Sequence, residues 1–132
     1  LEGAPNLILS KDRLRGYQDA LKERGMEVND NYVVACLGSF EEGKKATKKL
    51  LAMTPPPDAI FCSNDPMAMG SMMAIKEKGL KIPDDVAVVG FSNWFFGEIM
   101  DPSLTTVDQP GFEMGQEAAR LLIRHIEMRD KD

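Results

Sequence analysis

A doubly wound α/β fold, a parallel sheet flanked by helices, is what this sequence predicts, on three observations. Val86-Ala87-Val88-Val89-Gly90 is a short, almost uninterrupted apolar run, the pattern of a strand buried on both faces of a parallel sheet. Two other short apolar runs, Tyr32 to Leu37 and Asp58 to Cys62, alternate with helix-length segments, and alternation at these lengths marks βαβ units with right-handed crossovers. The runs are followed by Gly38-Ser39-Phe40, Ser63-Asn64-Asp65 and Ser92-Asn93-Trp94. Parallel strands bring such ends to one edge, where open sheets bind ligands.

Taken in order, Leu1 to Leu9 lacks periodicity, and Gly3 and Pro5 make it a loop. Ser10 is placed to cap a first helix in which Leu14, Tyr17 and Leu21 recur at helical spacing and which Gly25 ends. Arg13 then falls in the first turn, where a cation opposes the helix dipole; it is either solvated or faces an anionic or hydroxyl-rich group. Tyr32 to Leu37 reads as a strand. Ser39 and Glu42 have the spacing of a capping box for a helix from Glu41 to Met53. Phe40, at that junction, is a hydrophobic staple or a ring that stacks on a ligand.

Pro55-Pro56-Pro57 closes that helix, and Asp58 to Cys62 forms a strand. Asp65 caps the next helix, with Pro66 at its first position and Gly79 past its end. The methionines Met67, Met69, Met72 and Met73 cannot all face one side of it, so they fill the core, with or without a share in a subunit interface. Asp84-Asp85 turn into the Val86 to Gly90 strand, and Trp94-Phe95-Phe96 opens an aromatic loop that runs to Asp101-Pro102. Leu104 to Val107 is a short strand that Gln109-Pro110-Gly111 breaks. The last helix, Phe112 to Met128, carries an apolar stripe of Phe112, Gly115, Ala119, Leu122, Ile123 and Ile126, with His125 off it.

A chain of 132 residues is one domain whose core needs no disulfide. Cys36 and Cys62 lie in apolar segments and read as buried, reduced thiols; with His125 the only histidine, no metal site is expected, nor any cofactor. The net charge is −5, and no window interleaves clustered Lys or Arg with aromatics, so nucleic-acid binding by these residues alone is not expected. No run reaches the ~18 apolar residues of a membrane span, and the start has no signal-peptide pattern. A soluble, cytoplasmic chain is expected.

The three strand ends offer hydroxyls, amides, helix N-termini and rings, the equipment for holding a small polar molecule. They hold no histidine, no cysteine beside a base and no Ser-His-Asp set, so no catalytic residues are assigned and no enzyme is expected. One motif points elsewhere. Gly38 to Lys44 reads G-x-x-x-x-G-K after a strand, as a phosphate-binding loop does, but Lys45 stands where Ser or Thr would hold Mg²⁺, and Glu41-Glu42 would sit beside the phosphates.

Five stretches, in this order, carry a resemblance: Arg13-x-x-Gly16-Tyr17-x-x-Ala20-Leu21; Asp58 to Gly70 with its Cys62-Ser63-Asn64-Asp65-Pro66-Met67-Ala68; Gly79-x-x-Ile82-Pro83-Asp84-Asp85-Val86-x-Val88-Val89-Gly90-Phe91; Pro102-x-Leu104-Thr105-Thr106-Val107-x-Gln109-Pro110; and Met114-Gly115-x-x-Ala118. Together they resemble the effector-binding domain of lactose/galactose-repressor-type transcriptional regulators, over nearly the whole chain. The resemblance implies one lobe of a periplasmic-binding-protein-like domain, which closes on a sugar, sugar derivative or purine and thereby alters operator binding. It implies that residues 1–110 are the C-terminal lobe, truncated at its first strand, and that residues 111–132 form a helix that packs on the N-terminal lobe. It also implies a homodimer that touches operator DNA only through a headpiece absent from this chain, with no membrane partner.

By position, the resemblance implies effector contacts from Arg13, the ring of Phe40, the amide of Asn64 and Gln109 at the crossover, with Trp94 a further candidate. Ser92 departs from the family pattern, which commonly has an acidic residue there; one hydroxyl replaces a charge, which leaves room for an acidic or phosphorylated effector. The dimer interface is expected around Met67, Met69, Met72, Met73, Ile99 and Leu104. The alternatives are the lobe of a periplasmic sugar-binding protein, which the Pro102 to Pro110 motif opposes, and a P-loop nucleotide-binding enzyme, which Lys45 opposes.

Overall fold

The computed structural model describes residues 1–4 and 6–129. Pro5 of the expected first loop, and residues 130–132 of the expected closing segment 111–132, lie outside the described residues. The chain runs α1 (Ile8–Glu23), α2 (Phe40–Leu50), β1 (Ala59–Phe61), α3 (Asp65–Glu77), β2 (Ala87–Phe91), β3 (Thr105–Val107) and α4 (Gly111–Arg129). The strands form a parallel sheet in the order β1-β2-β3, with Ile60 opposite Val88 and Val89 opposite Thr105.

Side-chain alternation along these strands assigns the two faces. Ile60, Cys62 and Val88 are buried, and the Cys62 Sγ lies 3.4 Å from Ser71 Oγ of α3, so α3 covers that face. Phe61 and Phe91 point the other way. Tyr17 stacks on Phe61 with ring centroids 6.4 Å apart, and Arg13 lies over Phe91, which places α1 on the opposite face. Helices on both faces make the layer doubly wound.

The sheet extends past β1 through the first residues. Leu1 donates its terminal N–H to Phe61 O and accepts from Ser63 N at 3.0 Å, while Glu2 N donates to Val34 O and Cys36 N to Glu2 O, each at 3.0 Å. The spatial order is therefore Ala35, Leu1–Glu2, β1, β2, β3. Sequence order reverses between Leu1–Glu2 and β1, the switch point where open α/β sheets form their ligand crevice.

α2 and α3 meet backbone to backbone. A Cβ on Gly70 would sit 2.0 Å from Phe40 O, and one on Gly43 would sit 2.4 Å from Met67 O, so only glycine permits this approach. Beneath them Met67, Met72, Ile75, Leu50 and Ile60 fill the core. Its buried hydroxyls are chained: Thr47 Oγ1 donates to Ser71 Oγ at 2.8 Å, which donates to Met67 O at 2.9 Å. Among the described residues, no buried side-chain polar atom lacks a partner.

Several local expectations are corrected. Tyr32 to Leu37 is not a strand: Asp30–Tyr32 is a 3₁₀ turn capped by Asn29, and beyond it only Ala35 bridges to Glu2. β-branched residues alone do not make a strand; a ladder needs a partner of matching length. α1 starts at Ile8 without a side-chain cap, because Ser10 lies buried inside it, against Gly3. Arg13 consequently falls in the second turn rather than the first. α2 begins at Phe40 and ends at Leu50, short of Met53; Ser39 Oγ caps it by accepting from Glu42 N at 3.3 Å. Glu42 reaches back beyond Ser39, to Leu37 N at 2.5 Å. α3 is capped by Asn64, whose Oδ1 accepts from Met67 N at 2.9 Å, and Asp65 is its first residue. Every residue of α4 is exposed, so its apolar stripe lies outside this core.

Candidate functional site

At the carboxyl edge of the sheet Asp65, at the start of α3, ties the loop after β2 to strand β3. Its carboxylate is fully buried and accepts from Trp94 N at 2.7 Å and from Thr106 Oγ1 at 2.6 Å. Gly90 makes room for it, since a Cβ there would lie 2.1 Å from Asp65 Oδ1. Sequence reasoning took Asp65 for a cap and missed this role. The available signal was the Asn64-Asp65-Pro66 run: only one of two adjacent side chains caps a helix, and the spare carboxylate must find donors elsewhere.

The loop after β2 is held in an uncommon conformation. Ser92 and Asn93 have φ of 115° and 51°, the left-handed half of backbone space that non-glycine residues rarely occupy. Four hydrogen bonds impose it. Ser92 N donates to Val107 O at 2.9 Å and Ser92 Oγ to Gln109 Oε1 at 3.0 Å. Asn93 N donates to Thr106 Oγ1 at 3.2 Å, and Asn93 Nδ2 to Asp108 Oδ1 at 3.1 Å.

Arg13 reaches this edge from α1. Its Nη1 donates to Ser63 O at 2.5 Å, and its guanidinium carbon lies 4.0 Å from the Phe91 ring centroid, a cation–π arrangement. Asn64, next to Ser63, donates Nδ2 to Gly38 O at 3.0 Å. Gly38 has φ of 96°, and a Cβ on it would meet that amide at 2.8 Å, so glycine is required on both counts. Phe40, half-buried, opens α2 two residues on, and Trp94 is 49% exposed at the start of the aromatic loop. Arg13, Phe40, Asn64, Ser92, Trp94 and Gln109 thus all fall on one edge, Ser92 and Gln109 in direct contact.

The residues expected at a dimer interface divide. Met67 and Met72 are fully buried and Leu104 packs inside against Gly97, so these belong to the chain's own core and present no surface to a partner. Met69 is half-buried, and Met73 and Ile99 are exposed. Burial raises the pKa of the Cys36 and Cys62 thiols. The phosphate-loop pattern dissolves: Phe40 to Lys45 is already helix, Gly43 lies against α3, and Lys44 binds Glu77 at 2.6 Å, leaving no cradle. That contact raises the Lys44 pKa and, with Lys48 at 2.8 Å, lowers that of Glu77. Among the described residues, no cluster of histidine, cysteine and carboxylates is suited to a metal ion. A cavity of ≈ 530 Å³ lies under α1, lined by Leu14, Tyr17, Leu21 and Phe61; it reaches Ser63 at one end and Pro55 to Asp58, ahead of β1, at the other.

A model of the periplasmic binding protein-like domain matches residues 2–132. The HTH-type transcriptional repressor CytR of Escherichia coli (strain K12) is 39% identical over 127 residues, covering 96% of this chain and 37% of the relative. The probable HTH-type transcriptional repressor ExuR of Bacillus subtilis (strain 168) is 41% identical over 126 residues, 96% of this chain and 38% of the relative. The chain therefore spans between a third and two fifths of the curated relatives it matches. Among solved structures, a regulatory protein of the LacI family from Chloroflexus aggregans superposes with TM-score 0.92 at 34% identity, over 96% of this chain and 46% of that one. The transcriptional regulator CelR in complex with cellobiose also superposes with TM-score 0.92, at 33% identity over 98% of this chain and 39% of that one. Matched from its second residue to its last, and sharing its sheet with LacI-family regulators, the chain belongs to the periplasmic binding protein-like domain family.

Proposed function

We propose that these residues are the effector-binding part of a repressor-type transcriptional regulator, holding a small polar metabolite, a sugar, sugar derivative or purine, at the carboxyl edge of the sheet. One observation carries the reading: Arg13 of α1 and Asn64, Ser92 and Gln109 of the loops gather at the carboxyl edge of the sheet, where Asp65 ties the loop after β2 to β3. Side chains held by bonds already made suit binding, because ordering is completed before the ligand arrives. The repressor names of the similar proteins and the cellobiose in the CelR complex support it. The site is a binder and not an enzyme.

In this reading residues 1–110 form one lobe and residues 111–132 a helix for the facing lobe, consistent with the exposure of α4. Met69, Met73 and Ile99 are the surface residues available to a homodimer. Operator DNA is contacted by residues other than these, and the effector biases two domain arrangements that differ in operator affinity. The protein works in the cytoplasm; among the described residues, no helix is long and apolar enough to cross a membrane.

The test is operator binding by the full-length protein that carries these residues, followed by fluorescence anisotropy against a panel of sugars, sugar acids, sugar phosphates, nucleosides and purines. One class is expected to change operator affinity about 10-fold or more, the usual scale of allosteric coupling. A panel that leaves operator affinity and melting temperature untouched throughout contradicts the reading.

A further inference from the structure

Arg13 carries a charge that no carboxylate among the described residues answers. Its guanidinium is half-buried, stacked on Phe91 and bonded to a neutral carbonyl, Ser63 O. Among the described residues no carboxylate comes within salt-bridge distance of it. The carboxylates of the surrounding loops are already used: Asp65 by Trp94 N and Thr106, Asp108 by Asn93, and Glu42 by Leu37 N. A partly desolvated cation without a counter-charge is a site awaiting one, and a guanidinium presents its spare N–H groups as a fork matched to a planar anion.

The loops at this edge, 38–40, 63–65, 92–94 and 107–109, contain no lysine or arginine. Arg13 is therefore their single half-buried cation, while Asp65 and Asp108 stand on two of them. A phosphate ester carries roughly −1.5 to −2 charges at neutral pH and would be only partly neutralised there. A carboxylate carries one negative charge and is matched by one guanidinium. Asp65 and Asp108 already accept from Trp94 N, Thr106 and Asn93, and the groups left with capacity are neutral: after their mutual bond, Ser92 Oγ keeps its acceptor capacity and Gln109 Nε2 both hydrogens, and Asn64 Nδ2 keeps one.

We infer that the ligand of this edge is a polyhydroxylated monocarboxylate, a sugar acid, with its carboxylate on Arg13 and its hydroxyls on Ser92, Gln109 and Asn64. The inference rests on the effector-binding reading above and narrows it to one chemical class.

The experiment is calorimetric titration of the full-length protein with matched pairs that differ in one carboxylate: glucuronate and glucose, galacturonate and galactose, gluconate and sorbitol. Glucose 6-phosphate and a set of nucleosides complete the panel. At least one acid should bind 10-fold or more tightly than its neutral partner and than the phosphate. Arg13→Gln should remove that gap, Arg13→Lys should retain part of it, and melting curves verify that both variants fold. An equally tight neutral sugar, a preferred phosphate or nucleoside, or a gap that survives in Arg13→Gln would overturn the sugar-acid inference and leave the effector reading standing. No binding by any member of the panel would overturn the inference, and an operator affinity equally indifferent to every class would take the effector reading with it.

Discussion

Asp65 and Trp94 are joined by a 2.7 Å hydrogen bond from the Trp94 backbone N–H to a fully buried carboxylate, whose other oxygen takes the Thr106 hydroxyl. One side chain at the start of α3 thereby fixes the loop after β2 and the strand that leads to the Gln109 crossover. The side chains exposed at this edge are positioned by a residue that is itself buried.

Removing that carboxylate should be costly. Asp65→Ala leaves the Trp94 N–H and the Thr106 hydroxyl without a buried partner, at about 1–3 kcal/mol each. Asp65→Asn keeps one of the two acceptors: with its oxygen on Trp94 N–H and its NH2 donating to Thr106 Oγ1, the Thr106 hydroxyl hydrogen loses its acceptor, so the variant should recover only part of the loss. Urea unfolding of both variants checks the ranking; equal stability to the parent would show that the hub is dispensable.

The helix contact makes a prediction by contrast among glycines. Gly43→Ala and Gly70→Ala place a Cβ against backbone that cannot swing aside and should each destabilise by about 1–3 kcal/mol or more. Gly16→Ala, in the exposed middle of α1 with nothing within 4 Å of its Cβ position, should stabilise by about 0.5–1 kcal/mol. Thermal melts of the three variants give the order.

The Lys44, Lys48 and Glu77 cluster sets a pH dependence. Glu77 has its pKa lowered by hydrogen bonds from Lys44 and Lys48, so its contribution is present above the unfolded value and fades as pH falls through the lowered folded one. Lys44, with its pKa raised by Glu77, keeps its contribution until pH rises through its raised folded value. The stability difference between the parent and Glu77→Gln should be flat around neutrality and shrink below about pH 4, the ordinary glutamate range. Salt should reduce it throughout, because Lys48 and Glu77 are exposed and Lys44 is only half-buried. Denaturation midpoints across pH and ionic strength test both signs.

Ser92 puts a neutral hydroxyl, bonded to Gln109, at the edge. Ser92→Asp adds a carboxylate to an edge that already holds Asp65 and Asp108 and should shift preference from acids toward neutral sugars, by about 10-fold or more in the ratio of affinities. Titration with the same matched pairs measures it, and an unchanged ratio would show that Ser92 does not face the ligand.

What could be read ahead of the structure was what local chemistry decides. The Val86 to Gly90 strand needed only its own apolar run, and the start of α3 was visible in capping residues and Pro66. Asp65 was misread because its partners, Trp94 and Thr106, lie 29 and 41 residues further on. Tyr32 to Leu37 looked like a strand by composition, but Glu2 alone offers it a ladder. The methionines of α3 showed in sequence that they must divide; which of them enter the core depends on Gly43 bringing α2 against that helix. At the candidate site, residue types were legible one by one, while the unanswered charge on Arg13 appears only once its neighbours' partners are known.

The central claim, that the carboxyl edge of the sheet is where the effector sits, is tested most directly by hydrogen exchange on the full-length protein with and without the ligand selected from the panel. Protection should concentrate in the segments that carry Ser63–Asn64, Ser92–Trp94 and Val107–Gln109, with the α1 turn around Arg13. Protection confined to Pro55–Asp58 and the cavity under α1, with the Ser92 loop exchanging at its free rate, would contradict it.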